Sequence, residues 1–229
     1  DIYAQRLNAS GAQLWGANGD SICTAPLDQQ FPVIEPDGAG GVYIAWEDSR
    51  TGEDDIYAER VNALGQILWF GDHGIPVCTA PGAQSEPRLS RDGFGYVICI
   101  WQDARSGSYD LYAQRLVGGG MSWWTNNGIP VCTAPGQQVY PAVCSDFGGG
   151  ALVFWEDNRN GANDIFGQRV LAFGSGVLGS PEPVIRSFAD VPNDNGGFVN
   201  IRFDRTLFED PLYNVPIAFY RISRVNGTV

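Results

Sequence analysis

The phrase WEDSRTGEDDIYAER, from Trp46 to Arg60, returns as WQDARSGSYDLYAQR from Trp101 and as WEDNRNGANDIFGQR from Trp155. The chain opens on the tail of the same phrase, DIYAQR, at Asp1. The copies start 55 and then 54 residues apart. Self-similarity at one period constrains folding more than composition does. Each copy must adopt the same supersecondary unit, and each must bury its faces against its neighbours. Other positions keep step. Cys23, Cys78 and Cys132 each begin CTAP, and Gln29, Gln84 and Gln138 each stand three residues before a proline, Pro32, Pro87 and Pro141. Asp37, Asp92 and Asp146 each open a glycine-rich turn.

Turn residues cut each copy into four short segments. The first is QQFPVIEP or its counterparts from Gln84 and Gln137, and the second is GVYIAW, GYVICIW or ALVFW. The third is DIYAERV, DLYAQRL or DIFGQRV, and the fourth runs through a tryptophan into the cysteine. No window has a helical period. The second segment is apolar on both faces, the mark of a strand covered on both sides, and the third alternates. The pattern predicts an all-β fold: a β-propeller of four-stranded blades of about 54–55 residues. Residues 1–187 make a half blade and then three blades, with Ile185 where the last cysteine would fall. The first blade lacks its first two strands, so the chain is expected to be a stretch of a longer protein. The strand edge at Asp1–Cys23 is then covered by upstream blades of that polypeptide, or else by a neighbouring subunit. Residues 188–229 abandon the repeat, and FVNIRFDR and IAFYRISR predict the truncated start of a β-sandwich.

Composition narrows the partners. A net charge of −12 speaks against nucleic acid and against anionic membrane surfaces. No apolar run is long enough for a membrane-spanning helix. All 14 basic residues are arginine.

In a propeller the loops after the second and fourth strands share one face. Asp48, Arg50, Asp103, Arg105, Asp157 and Arg159, together with the adjacent Trp123 and Trp124, are therefore the candidate ligand-binding residues, suited to polar ligands such as glycans. A local reading competes with this and is favoured by the repetition. Each aspartate caps its turn, and each arginine pairs with a carboxylate nearby. The glycine-rich turns at Asp37, Asp92 and Asp146 admit a calcium reading beside plain turn chemistry, but one carboxylate per turn falls short of the six to eight oxygens calcium takes. No metal or cofactor is expected. The cysteines form no CxxC pair, and Cys99 with Cys144 is the one combination considered for a disulfide. The lone His73 has no second histidine for a zinc site or a triad. The Asp-box of sialidases, S-x-D-x-G-x-T-W, is absent from the chain. Acidic pairs such as Glu47–Asp48 recur at equivalent positions, and no unrepeated acid–nucleophile pair stands out. The chain is accordingly expected not to be an enzyme. Trp46, Trp101 and Trp155 are expected to be buried at the ends of equivalent strands, and Arg60, Arg115 and Arg169 to bond carbonyls or carboxylates within the stack.

The repeat phrase, at Trp46–Arg60, Trp101–Arg115 and Trp155–Arg169, together with DVPNDNGG at Asp190–Gly197, resembles a class of uncharacterised secreted bacterial β-propeller-type repeat proteins. In these a fibronectin type III-like module follows the repeats. The resemblance implies an exported protein, extracellular or on the bacterial cell surface, and supplies no activity or ligand. The expected role is a non-catalytic structural or adhesive module of a surface assembly. Its expected partners are other domains of the same polypeptide, further copies of itself or surface glycans. The alternative is a glycan- or peptide-binding propeller, or a sialidase-like glycosidase whose site lies in blades outside this chain.

Overall fold

The computed structural model describes residues 1–69, 71, 73–172, 185–190 and 199–203. The chain divides into two compact units, Asp1–Val177 and Leu178–Val229. All regular structure among the described residues is antiparallel β-sheet.

In the first unit, β1 (Ile2–Ala4) and β2 (Asp20–Cys23) form a two-stranded sheet. The first full repeat is a meander of β3 (Gln29–Pro36), β4 (Val42–Asp48), β5 (Asp55–Val61) and β6 (Ile75–Cys78). The second is β7 (Gln84–Arg91), β8 (Val97–Asp103) and β9 (Asp110–Val117), with β10 (Met121–Ser122) and β11 (Ile129–Cys132) both pairing β9. The third is β12 (Gln138–Ser145), β13 (Ala151–Asp157) and β14 (Asp164–Val170). Register is identical across repeats: Trp46 faces Tyr57, Trp101 faces Tyr112 and Trp155 faces Phe166.

The second unit contributes β15 (Ile185–Asp190), paired with β16 (Val199–Phe203). Ile185, expected on the last strand of the third repeat, instead lies in this pair. Of the segment 188–229 expected to begin a β-sandwich, only residues 188–190 and 199–203 are described, in these two strands; the rest lies outside the described residues.

The sheets pack face to face, and strand alternation explains how. In β8, Val97, Cys99 and Trp101 point toward the first repeat, onto Tyr43, Ala45, Ile56 and Ala58. Ile98 and Ile100 point the other way, onto Ala151, Val153 and Trp155 of the third repeat. β4 divides likewise, with Ile44 and Trp46 packing on Ile2 and Ile22 of the β1–β2 sheet. Trp46 and Trp101 are fully buried and Trp155 is nearly so. The same geometry separates the two cysteines considered for a disulfide. Cys99 faces the first repeat, away from β12, while Cys144 on β12 is exposed, and both are free thiols.

Glu59 on β5 departs from its glutamine counterpart Gln114. Its Oε1 accepts the N–H groups of Arg60 (2.8 Å) and Trp69 (3.0 Å), but its Oε2 is buried with no hydrogen-bond partner. Gln114 accepts the equivalent two N–H groups and uses its amide to donate to the Thr125 carbonyl at 2.9 Å. Burial pushes the Glu59 carboxyl up to about 7, against its two amide hydrogen bonds. The neutral acid therefore suits the fold. Its stability is fully present below the unfolded value of 4.5 and is lost as pH rises through about 7. Glu59→Gln is expected to stabilise the protein at pH 8 by on the order of 2 kcal/mol and to change little at pH 5. Denaturant unfolding at the two pH values checks this, and an equal effect at both would contradict it.

Candidate functional site

The repeated W-x-D-x-R loop is closed on itself. Asp103, fully buried at the end of β8, accepts five hydrogen bonds: from the Trp101 indole (2.8 Å), the Arg105 backbone N–H (3.0 Å), the Arg105 guanidinium (2.8 and 2.5 Å) and the Cys78 thiol (3.7 Å). Arg105 also reaches the Cys78 sulfur and the Asn127 carbonyl, and it stacks on the Tyr112 ring at 3.9 Å. Asp48 and Arg50 repeat the arrangement with Trp46, Cys23, the His73 carbonyl and Tyr57. Asp157 and Arg159 repeat it with Trp155, Cys132 and Phe166. Burial raises the Asp48 carboxyl, but the Arg50 and Trp46 hydrogen bonds outweigh it and leave the group below the usual carboxylate range. The Arg159 hydrogen bond dominates at Asp157 and lowers it further. Burial pushes the Cys78 thiol up to about 12, so it stays protonated inside this network. In all three repeats the aspartate oxygens and the arginine Nε and Nη2 atoms are engaged locally.

The opposite end of each repeat is built around Asp37, Asp92 and Asp146. Asp92 Oδ1 accepts the N–H groups of Phe94 (2.7 Å) and Tyr96 (3.0 Å), which folds the turn, and its Oδ2 accepts Arg115 at 2.5 Å. Asp37 does the same with Ala39, Gly41 and Arg60. Asp146 does so with Gly148, Gly150 and Arg169. A guanidinium thus stands where the calcium reading would have placed a cation. Arg60, Arg115 and Arg169, at the ends of their strands, each reach back to the turn between the first two strands of their own repeat.

Trp123 and Trp124 separate. Trp124 is buried, and its indole donates to the Ala172 carbonyl at 3.3 Å, just as Trp69 donates to Gly118. Trp123 is exposed, and its backbone N–H donates to the Arg115 carbonyl. That places it at the Asp92–Arg115 end of the sheet, away from the Asp103–Arg105 loop. The candidate set therefore does not assemble into one site: its charged members are consumed locally, and its exposed tryptophan lies at the other end.

A different row of residues comes together. The Q-x-x-P segment of each repeat forms a bulge in its first strand, between Gln30 and Val33, Ser85 and Arg88, and Val139 and Ala142. The residue before the proline takes a left-handed conformation: Phe31 at φ 50°, Glu86 at 55° and Tyr140 at 54°. A non-glycine residue held there costs on the order of 1–3 kcal/mol. β7 packs between β3 and β12, so the three bulges belong to neighbouring strands. Phe31 is 62% exposed and Tyr140 59%, whereas Glu86 is half-buried.

Each later bulge is fastened to the preceding repeat. The Tyr140 N–H donates to Gln102 Oε1 at 2.5 Å, and the Glu86 N–H donates to Glu47 Oε1 at 2.7 Å. Gln102 and Glu47 are equivalent, each following the tryptophan of the second strand. The joint between the first and second repeats consequently holds two carboxyl groups, and Arg88 pairs with Glu86 at 2.8 Å. Burial pushes the Glu47 carboxyl up; the Glu86 amide hydrogen bond opposes this, and the negative charges of Asp54 and Glu86 add to it. The matching joint between the second and third repeats has Gln102, Tyr140 and Ala142 in the places of Glu47, Glu86 and Arg88. The glutamate position itself recurs at Glu156; its pairing with a second carboxyl is not matched at the joint between the second and third repeats.

No protein-family model and no curated protein matches the chain. Among solved structures, it is similar to the endo-arabinase from Bacteroides thetaiotaomicron, at 14% identity and a TM-score of 0.46, over 72% of this chain and 63% of that one. The chain thus spans less than two thirds of that structure's length. That neighbour is an endo-arabinase; the expectation that the chain is not an enzyme is withdrawn, and a likeness at this level assigns no activity.

Proposed function

We propose that the chain is part of a secreted or cell-surface β-propeller-type protein that binds carbohydrate across the bulges of β3, β7 and β12. Antiparallel meanders of matching register stacked face to face, with their first strands side by side, support the propeller arrangement. In such a stack the first strands line the central axis, where ligands approach.

The observation that carries the binding reading is the row Phe31, Glu86, Tyr140. Two aromatic rings are held out to solvent by strained backbone in adjacent strands, with an ion-paired carboxylate between them. Exposed rings of this kind offer apolar faces to the C–H faces of sugar rings. Glu86 and Arg88 offer acceptors and donors for hydroxyl groups. The acidic charge of the chain suits a neutral polymer better than an anionic one.

Phe31→Ala and Tyr140→Ala are each expected to weaken binding of a retained polysaccharide about tenfold, or ~1.4 kcal/mol. Melting temperature should hardly move, because both side chains are already in water. Affinity electrophoresis and calorimetry against soluble polysaccharides check this. Full affinity in both variants, or capture of an extended peptide in place of every glycan, would overturn the reading.

A further inference from the structure

We propose that the joint between the first and second repeats hydrolyses the bound glycan, with Glu47 as proton donor and Glu86 as the base that activates water. The proposal rests on the carbohydrate-binding reading above and adds a reaction to it.

The argument starts from what the fold requires at this position. The bulge of the next repeat needs one hydrogen-bond acceptor for its backbone N–H. Gln102 meets that need for Tyr140, so an amide is sufficient architecture. Glutamate stands at this position in two of the three repeats, Glu47 and Glu156, but at Glu47 it faces a second carboxyl, and a 7% exposed carboxyl is costly to ionise.

The hydrogen bond also fixes where a proton would sit. Glu47 Oε1 accepts the Glu86 N–H, so a neutral Glu47 carries its proton on Oε2. Oε2 has no hydrogen-bond partner among the described residues and is not sealed off from solvent. Glu86 is the contrasting member. It is half-exposed, its charge is balanced by Arg88, and its side chain leaves from the residue whose N–H holds Glu47. Two carboxyl groups whose surroundings differ in this way are the arrangement that divides acid from base roles. Phe31 and Tyr140, on the neighbouring strands, supply the positions on either side for a polymer to lie across the pair.

The step balances without a cofactor. Water attacks the anomeric carbon while the bond from that carbon to the glycosidic oxygen breaks. The leaving oxygen takes the Oε2 proton of Glu47, and Glu86 takes one proton from the attacking water. The products are a new reducing end and an alcohol. Glu47 is left ionised and Glu86 protonated, and exchange with solvent restores both.

The fold supplies its own control, because Glu47→Gln reproduces Gln102. The full chain, Glu47→Gln and Glu86→Gln are tested on borohydride-reduced xylan, arabinan, galactan and mixed-linkage glucan. Both retention and new reducing ends are measured. The expected result is that the parent chain retains and cleaves at least one polymer. Glu47→Gln should retain the same polymer with a melting temperature no lower than the parent's and lose at least about a hundredfold in cleavage. Retention without cleavage by the parent chain would overturn the hydrolytic inference and leave the binding reading standing. Cleavage that survives in Glu47→Gln would also overturn it. No retention of any polymer would remove both.

Discussion

Asp103→Ala is expected to lower stability by about 3–5 kcal/mol, the scale for removing one partner of a buried ion pair. One buried carboxylate there satisfies the Trp101 indole, the turn N–H and both reachable nitrogens of Arg105. Its loss leaves the Trp101 indole N–H and Arg105 Nε without their acceptor and the guanidinium charge unpaired, with only the Asn127 carbonyl and the Cys78 sulfur still facing Nη2. For a unit of this size the change corresponds to a fall in melting temperature of roughly 10 °C. Asp103→Asn keeps the volume and one acceptor, so it should fall between the parent and the alanine variant. Thermal unfolding followed by near-ultraviolet circular dichroism reads the effect. An alanine variant within a degree or two of the parent would show that the loop network does not hold the repeat.

Arg115→Met is expected to cost a similar amount, for a different reason. The Arg115 side chain is 7% exposed and its Asp92 partner fully buried, so methionine strands a carboxylate in the core. It also removes the donor to the Ala172 carbonyl, which ties the second repeat to the third. Arg60→Met is the internal comparison. The Arg60 side chain is 26% exposed, so its charge is already partly hydrated and the pair it forms with Asp37 is the weaker one; the loss should be smaller. Equal losses at the two positions would argue that burial does not set the strength of these pairs.

The architecture was legible where one residue's role depends on its own repeat. Trp46, Trp101 and Trp155 share one register, and the all-β character follows from the short alternating segments between turns. The arginines at the strand ends were legible for the same reason, since their aspartate partners lie 23 residues away inside the same copy. Failures came where position depends on two copies at once, or on strand geometry. Glu47 and Glu86 stand 39 residues apart, and only the stacking of one sheet on the next brings them together. The available signal was one departure from the repeat: Glu86 where Phe31 and Tyr140 are aromatic, opposite a glutamate that recurs at Glu156. Trp123 misled because adjacency to Trp124 in sequence says nothing about direction. Successive residues point opposite ways, and Trp123 falls at the far end of its strand pair. Ile185 misled because a repeat was extended past the residues that define it. An isoleucine offers no sulfur for an arginine of the kind that Cys78 offers Arg105.

The carbohydrate reading makes the bulges of β3, β7 and β12 the point where structure becomes function. Strain at Phe31, Glu86 and Tyr140 holds side chains outward that a regular strand would alternate away. The backbone of Glu86 and Tyr140 is also fastened to Glu47 and Gln102. The most direct test is a crystal structure of the Glu47→Gln chain with an oligosaccharide from whichever polymer it retains. The account predicts sugar rings against Phe31 or Tyr140, with hydroxyl groups on Glu86 and Arg88 and the glycosidic oxygen facing residue 47. Sugar bound instead at the Trp123 end of the sheets, with the three bulges bare, would contradict it.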